Sequence, residues 1–594
     1  MADELVPNAT PGTEEVPTEK VQTEAEIIKV LFDELDNYQS SSRTQRSEIN
    51  DIYEAYTGEI SDTVDRSKSQ EKIMKLRTEV NYIVPSIFSG SPELEVSGIG
   101  DEDKDLAQVG EEIINYRLNT IPQAYEKIEA WVKQAVVFGT SLLNVCWKFS
   151  IDEMTQTVKE DEPDLQVPNI LDCFYNPIIS DLGAQTSIIL RNVLSISEVK
   201  ENPAYDYEGK DGLNKDLIEA KGSSVSNIYN SSKQVTRDRI DIQKASKDTV
   251  EIYDRITCDR IQTVCDGKER LVLRDVKNPY DMYTSVKLIH EPNAIPNRFD
   301  GYGVGHNTLG IGRLIQKFAN RLTDNATFAN TPAFMFKKGA GIDKKQLVIK
   351  AGGGIEVDGE GPLRDQIAQI DVKDISNGGL ALLNRFDDEH KRASGSNDLM
   401  QGSASNKTLG QDQLASTYSS NRFELINRRF KQALADVGEI LLFMEIENIQ
   451  SIDAPILKIF PLEAEVQGGI IRYSRETVYQ MLIAARERKD LRFNIKIKGE
   501  TNVARNKDVM LKQFAEWYNL FGPILPPENQ LAAAKKWLEL RGVDEIDKLV
   551  PDPEMMAMNA QEQAAQQGID PMTGQPMQTP QMNPGFNMPQ MPTV

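Results

Sequence analysis

Between Gln411 and Asn448 one pattern dominates: Phe423, Ile426, Phe430, Leu434, Val437, Leu441 and Met444 stand at spacings of 3, 4, 4, 3, 4 and 3. Those offsets put side chains on one face of an α-helix, here as an apolar stripe about 30 Å long. Such a stripe has to be clad by other parts of the chain or by another subunit. A helical run before it, Ile311–Asn330, has a stripe of its own through Ile315, Phe318, Leu322, Ala326 and Ala329, and stops short of Pro332. A Gly- and Lys-rich insertion follows, with Lys337, Lys338, Lys344, Lys345 and Lys350 ahead of Gly352, Gly353 and Gly354. A second run, Leu380–Ala393, is polar most of the way round apart from a face with Leu380, Leu383 and Phe386, and leads into the small-residue loop Ser394–Gly410. A helix polar most of the way round suits a wet channel or a subunit boundary. The arrangement reads as mechanical rather than catalytic.

The rest of the chain surrounds this unit with helices first and strands after. A helix from Ala25 is expected to bend at Ser40–Thr44 and to stop at Gly58. Arg77–Gly90, Asp105–Asn119 and Pro122–Phe138 read as further helices, the last with Pro in its first turn. Ser141–Ser150 and Thr155–Glu160 form an expected hairpin, and Ile188–Val193 begins another extended stretch. Residues 200–248 are polar and read as a surface excursion. Val250–Asp259, Arg260–Cys265 and Glu269–Asp275 alternate as strands, turning at Asp266 and Gly267, and Met282–His290 adds one more. Beyond Asn448, strands are expected around Ile456–Ile459 and at Phe493–Lys498, with helices at Arg475–Arg486, Asn506–Gly522 and Asn529–Arg541. Residues 1–24 and 551–594, rich in Pro, Thr and Glu and in Met, Gln and Pro respectively, are poor in the large apolar side chains that order a chain, and are expected to be a disordered arm and a flexible tail.

Composition excludes several classes. No apolar run approaches the roughly 20 residues that span a bilayer, and the acidic N-terminus has no signal-peptide core. No membrane partner is expected. Four cysteines (Cys146, Cys173, Cys258 and Cys265) and three scattered histidines make neither a disulfide framework nor a metal-ligand spacing. A net charge of −24 argues against a surface that grips duplex DNA everywhere. It makes the basic insertion conspicuous.

The glycine motifs fail as phosphate cradles. In Gly301–Gly310 (GYGVGHNTLG) the glycines fall at the wrong offsets for a dinucleotide fingerprint, and Gly402–Thr408 (GSASNKT) lacks the second glycine of a P-loop. A tight turn feeding a helix explains the first, and a mobile loop carrying a lysine explains the second. Asp387, Asp388 and Glu389 are adjacent on a helix, where neighbours point about 100° apart, so a shared ion is not expected. No cofactor is implied.

With these residues in view, the chain resembles the portal proteins, or head-to-tail connectors, of tailed bacteriophages. The resemblance runs in order through Ile49–Gly58, Arg77–Pro85 (RTEVNYIVP) with Phe88–Pro92, Phe138–Val145 (FGTSLLNV), Gly303–Pro332 with Gln316 and Asn320, and Gly395–Gly402 with Gly410. It implies an α+β, mainly helical fold: an elongated ring-forming subunit, usually twelve to a ring, with wing, stem, clip and crown regions. By it, residues 25–303 and 413–505 are wing, 304–332 and 377–394 the two stem helices, and 333–376 the clip. Residues 395–412 are then a tunnel loop, 506–550 a crown and 551–594 a flexible tail. It further implies a capsid-vertex protein, made in the host cytoplasm, that is not an enzyme. Its partners would be double-stranded DNA passing without sequence specificity, the terminase large subunit, the major capsid and scaffolding proteins, and head–tail adaptor or tail proteins. Lys391, Arg392, Asn406 and Lys407 are the expected DNA-facing residues, and the five insertion lysines are expected to meet the motor or adaptor. Two other classes stay open: a different oligomeric scaffold or adaptor, and an enzyme whose site is assembled from distant residues.

Overall fold

The structure is a computed structural model that describes residues 22–58, 69, 71–88, 92–98, 100, 103–151, 158–219, 249–330, 333–336, 362, 367–370, 376–395, 409–467, 470–488 and 493–497, with scattered positions from 514 to 538. Helices α1 (Glu24–Ser41) and α2 (Arg43–Thr57) are consecutive, separated at Ser42, whose hydroxyl donates to the Tyr38 carbonyl at 2.6 Å. A capping box of Thr23 and Glu26 starts α1, and Gly58, at φ 70°, ends α2. Then come α3 (Lys75–Ile87), β1 (Leu94–Gly98), α4 (Lys104–Thr120) and α5 (Ala124–Phe138). Pro122 stays outside α5, because Gln123 takes a left-handed φ of 56° and turns the chain before the first helical residue.

Strand β2 (Thr140–Ile151) pairs antiparallel with β3 (Val158–Gln166). The second strand runs past Glu160 because Leu165, fully buried, pairs opposite Val145. The chain continues through β4 (Cys173–Phe174), β5 (Ile188–Ser195), α6 (Ile196–Glu201), β6 (Glu208–Gly209), β7 (Gly212–Leu213), β8 (Thr249–Ile256), β9 (Arg260–Asp266), β10 (Arg270–Lys277) and β11 (Ser285–Ile289). One antiparallel sheet has the order β10-β9-β8-β5-β4, and another β11-β2-β3. Alternation along the larger sheet assigns its two faces. Tyr253, Val264 and Val272 pack with Ile27, Leu31 and Leu35 of α1, while Ile252, Cys265 and Leu273 pack with Val199, Tyr205 and Ile218. The polar stretch read as a surface excursion is thus a packed layer as far as Ile218, and residues 220–248 lie outside the described part.

The second half holds α7 (Val304–Asn330), β12 (Ala333–Phe336), β13 (Ile367–Ile370), α8 (Ser376–Ser394), α9 (Leu409–Asn448), β14 (Glu465–Gln467), β15 (Ile470–Arg472), α10 (Arg475–Glu487) and β16 (Phe493–Ile497). All seven stripe residues of α9 are buried, Phe423 at 7% exposure being the most open. They sit in one core with apolar residues of α3, α4, α5, β2, β11 and α10. Strand β16 closes that core by pairing antiparallel with β1, almost 400 residues earlier. The strand expected at Ile456–Ile459 is a 3-10 helix, Pro455–Ile459, because proline at its first position presets a helical φ. Residues Asn502–Val594 form a separate compact unit, in which the Phe514 ring lies 5.5 Å from that of Trp517. The N-terminal arm to residue 21 and the tail from 551 lie outside the described residues.

Candidate functional site: a two-helix hairpin and its basic last turn

Glycine decides how α7 leaves the body of the protein. A Cβ on Gly303 would stand 2.5 Å from the Gly139 nitrogen and 2.6 Å from the carbonyl oxygens of Val136 and Val137. One on Gly305 would stand 2.3 Å from an Ile52 methyl group. Backbone therefore lies on backbone where the chain crosses the end of α5. The amides that could have cradled a phosphate are already used: Gly301 N–H donates to Thr140 Oγ1 at 2.8 Å, and Gly303 N–H to His306 Nδ1 at 3.1 Å. Burial pushes the His306 imidazole below its usual range, against an opposing pull from Glu48, which suits a ring nitrogen that accepts a hydrogen bond. The motif is a tight entry to a helix.

From that anchor α7 and α8 run antiparallel. Gly312 faces His390, Phe318 meets Phe386 edge to face with centroids 6.0 Å apart, and Leu322 covers Gly379. Polar contacts tie the pair to earlier elements. Arg313 lies 3.1 Å from Asp51, and the Asn320 and Asp324 side chains accept from the backbone amides of Glu71 and Ser69 at 3.1 and 2.8 Å. Lys75 of α3 lies 2.5 Å from Asp387, and Glu79 of α3 bonds His390 Nδ1 at 2.8 Å. Leu314, Leu380 and Leu382 remain exposed on the hairpin.

Two of the expected DNA-facing residues are described, both in the last turn of α8. Lys391 is 23% exposed and 3.7 Å from Asp387, whereas Arg392 is 75% exposed and 3.3 Å from Glu389. Asn406, Lys407, Lys337, Lys338, Lys344, Lys345 and Lys350 lie outside the described residues. The acidic run is split among separate basic partners, Asp387 with Lys75 and Lys391, Glu389 with Arg392. Among the described residues no three His, Cys, Asp or Glu side chains are placed to hold a metal ion. None of the four cysteines is in a disulfide, and burial pushes the Cys146 and Cys265 thiols up to about 12, away from nucleophilic thiolate chemistry.

Sequence reasoning missed the pairing of Glu79 with His390. A signal was present: Glu79 interrupts the apolar face that Leu76, Val80 and Ile83 mark on α3, and a carboxylate on such a face requires a partner.

The chain matches the family model described as phage SU10 portal protein over residues 26–177 and 262–458, more than half of its length. The second block takes in the whole hairpin and α9. A comparison with curated proteins finds no match.

Proposed function

Because the chain belongs to the phage SU10 portal protein family, we propose that it forms the ring at the capsid vertex through which double-stranded DNA is packaged and later ejected. A tailed-phage portal protein is an oligomeric, structural component of the virion rather than an enzyme. We extend the proposal to the parts of the subunit. Twelve copies form the ring, with 25–303 and 413–505 as wing, 304–332 and 377–394 as stem, 333–376 as clip, 395–412 as tunnel loop and 506–550 as crown. The insertion lysines Lys337, Lys338, Lys344, Lys345 and Lys350 meet the terminase large subunit and then the adaptor or tail proteins. Capsid and scaffolding proteins surround the ring during assembly.

The observation that carries the reading is the family match across both hairpin helices and the long helix after them. Charge agrees with it. A subunit of net charge −24 repels DNA overall. Cations at discrete levels of a channel, Lys391, Arg392 and Lys407, together with the polar Asn406, centre a duplex without holding it, since each phosphate interaction is weak and salt-dependent. Electron microscopy of the purified protein tests the reading. Closed rings with a central hole wide enough for a duplex support it, and a compact monomer at all concentrations overturns it.

A further inference from the structure

The hairpin is held to the rest of its subunit in two unlike ways. At Gly303–Gly305 backbone lies against backbone with no slack. Farther along, Leu309 still packs on the core that holds Ile52, Leu76 and Val80, Ile315 is buried, and the remaining ties to α2, α3 and the segment before α3 are polar: Asp51 with Arg313, the Ser69 and Glu71 amides with Asp324 and Asn320, and Lys75 with Asp387. Contacts of that kind exchange with water at little net cost.

Glu79 and His390 differ from these. They are 2% and 1% exposed, and they share one hydrogen bond. Glu79 Oε2 and His390 Nε2 are buried and have no hydrogen-bond partner among the described residues. Gly312 completes the enclosure, since a Cβ there would stand 3.3 Å from Nε2. Each group has given up water and regained only part of its bonding capacity, so the closed pair carries a desolvation cost that opening removes. Lys75–Asp387 lies one turn away on the same faces of α3 and α8, four residues before Glu79 and three before His390.

We propose that Glu79–His390 and Lys75–Asp387 form a two-rung latch between α3 and α8, closed in this structure. Gly303–Gly305 is the pivot about which the hairpin tilts when the latch opens. On the portal reading above, on which this consequence rests, the two latch positions are two settings of the channel wall.

Hydrogen exchange on the purified full-length protein tests the latch without DNA. In the Glu79→Leu/His390→Leu variant two apolar side chains replace the half-satisfied pair, which holds the latch closed. Amides of α8 then exchange about tenfold more slowly than in the wild type, while His390→Ala alone speeds them. A second arm, Lys75→Cys with Asp387→Cys, slows the same amides when oxidised and releases them on reduction. If neither the apolar pair nor the oxidised variant slows exchange in α8, the wild-type latch does not open and the proposal fails. Rings form in either case if the portal reading holds, so a protein without rings counts against that reading and leaves the exchange result standing by itself.

Discussion

Arg117, 5% exposed, donates through Nε to the carboxylate of Glu445, 1% exposed, and so ties α4 to the long helix α9 inside the core. Its Nη1 reaches on to Glu162 of β3 at 3.2 Å. Burial pushes the Glu445 carboxyl above the usual carboxylate range, and the neighbouring guanidinium pulls it back only partly. Removing one member of such a pair strands the other in a low-dielectric interior. Glu445→Ala and Arg117→Ala are each expected to cost about 3–5 kcal/mol in denaturant unfolding. The double variant Arg117→Met/Glu445→Leu should recover most of that loss. Equal destabilisation by the double and the single variants would show that packing, rather than the unpaired charge, sets the cost.

The glycines at the entry to α7 separate two roles. Gly303→Ala places a Cβ against three backbone atoms that cannot move independently. Overpacking of this kind is expected to cost on the order of 3 kcal/mol. Gly310, inside α7, has open space where its Cβ would be. Gly310→Ala therefore should stabilise the protein by about 0.5–1 kcal/mol through helix propensity. Thermal unfolding of the two variants should shift in opposite directions, and an unchanged or raised midpoint in Gly303→Ala would contradict the close-approach account of the motif.

Periodicity made the long helices legible. The α9 stripe predicted seven buried residues, and the alternation in β8, β9 and β10 separated the two faces of the larger sheet. Pairings between distant segments were not legible. Nothing local in Leu94–Gly98 points to Phe493–Ile497, because sheet register depends on which chain arrives alongside. Ile456–Ile459 misled for a related reason: three apolar residues around Lys458, two of them β-branched, read as a strand, and one proline at the first position outweighed them. The glycine motif showed a turn without showing what it crosses, and the deciding neighbour, Gly139, lies more than 160 residues earlier.

Glu34 supplies an acid-sensitive anchor for α1. Burial alone would raise its carboxyl, but hydrogen bonds from Arg255 and Ser187, with the Arg255 charge, outweigh burial and hold it below the usual range. Arg255 grips both oxygens at 2.8 Å, and the Ser187 hydroxyl donates at 2.6 Å. A carboxyl lowered in the folded state contributes stability above its unfolded value of about 4.3 and loses it as the pH falls through the folded value. Glu34→Gln is expected to cost about 1.5–3 kcal/mol at pH 7, the worth of charge-assisted bonds. The cost should shrink below about pH 4, as the wild type gives up the same contribution. A gap between the two proteins that stays constant from pH 7 to pH 3 would remove Glu34 from the acid response.

Of the two described cations at the end of α8, exposure ranks Arg392 first. Lys391 is drawn toward Asp387, which also holds Lys75, so moving it disturbs the root of the hairpin. Arg392 is three-quarters exposed, and its pairing with Glu389, itself half exposed, is of the kind worth about 0–1 kcal/mol. A phosphate can displace that partner at little cost. If this turn faces DNA in the ring, Arg392→Ala should weaken binding of a short duplex uniformly across sequences. It should also make the slope of log K against log salt shallower by about 0.9 for each phosphate that the guanidinium neutralises. Glu389→Gln, which removes a competing negative charge beside the guanidinium, should act in the opposite direction, and Lys391→Ala should lower unfolding stability more than it changes the slope. A titration from low to high salt with the assembled ring distinguishes these outcomes. An unchanged slope in Arg392→Ala, with rings intact, would remove this turn from the DNA path and leave the residues beyond Gly395 to be tested in its place.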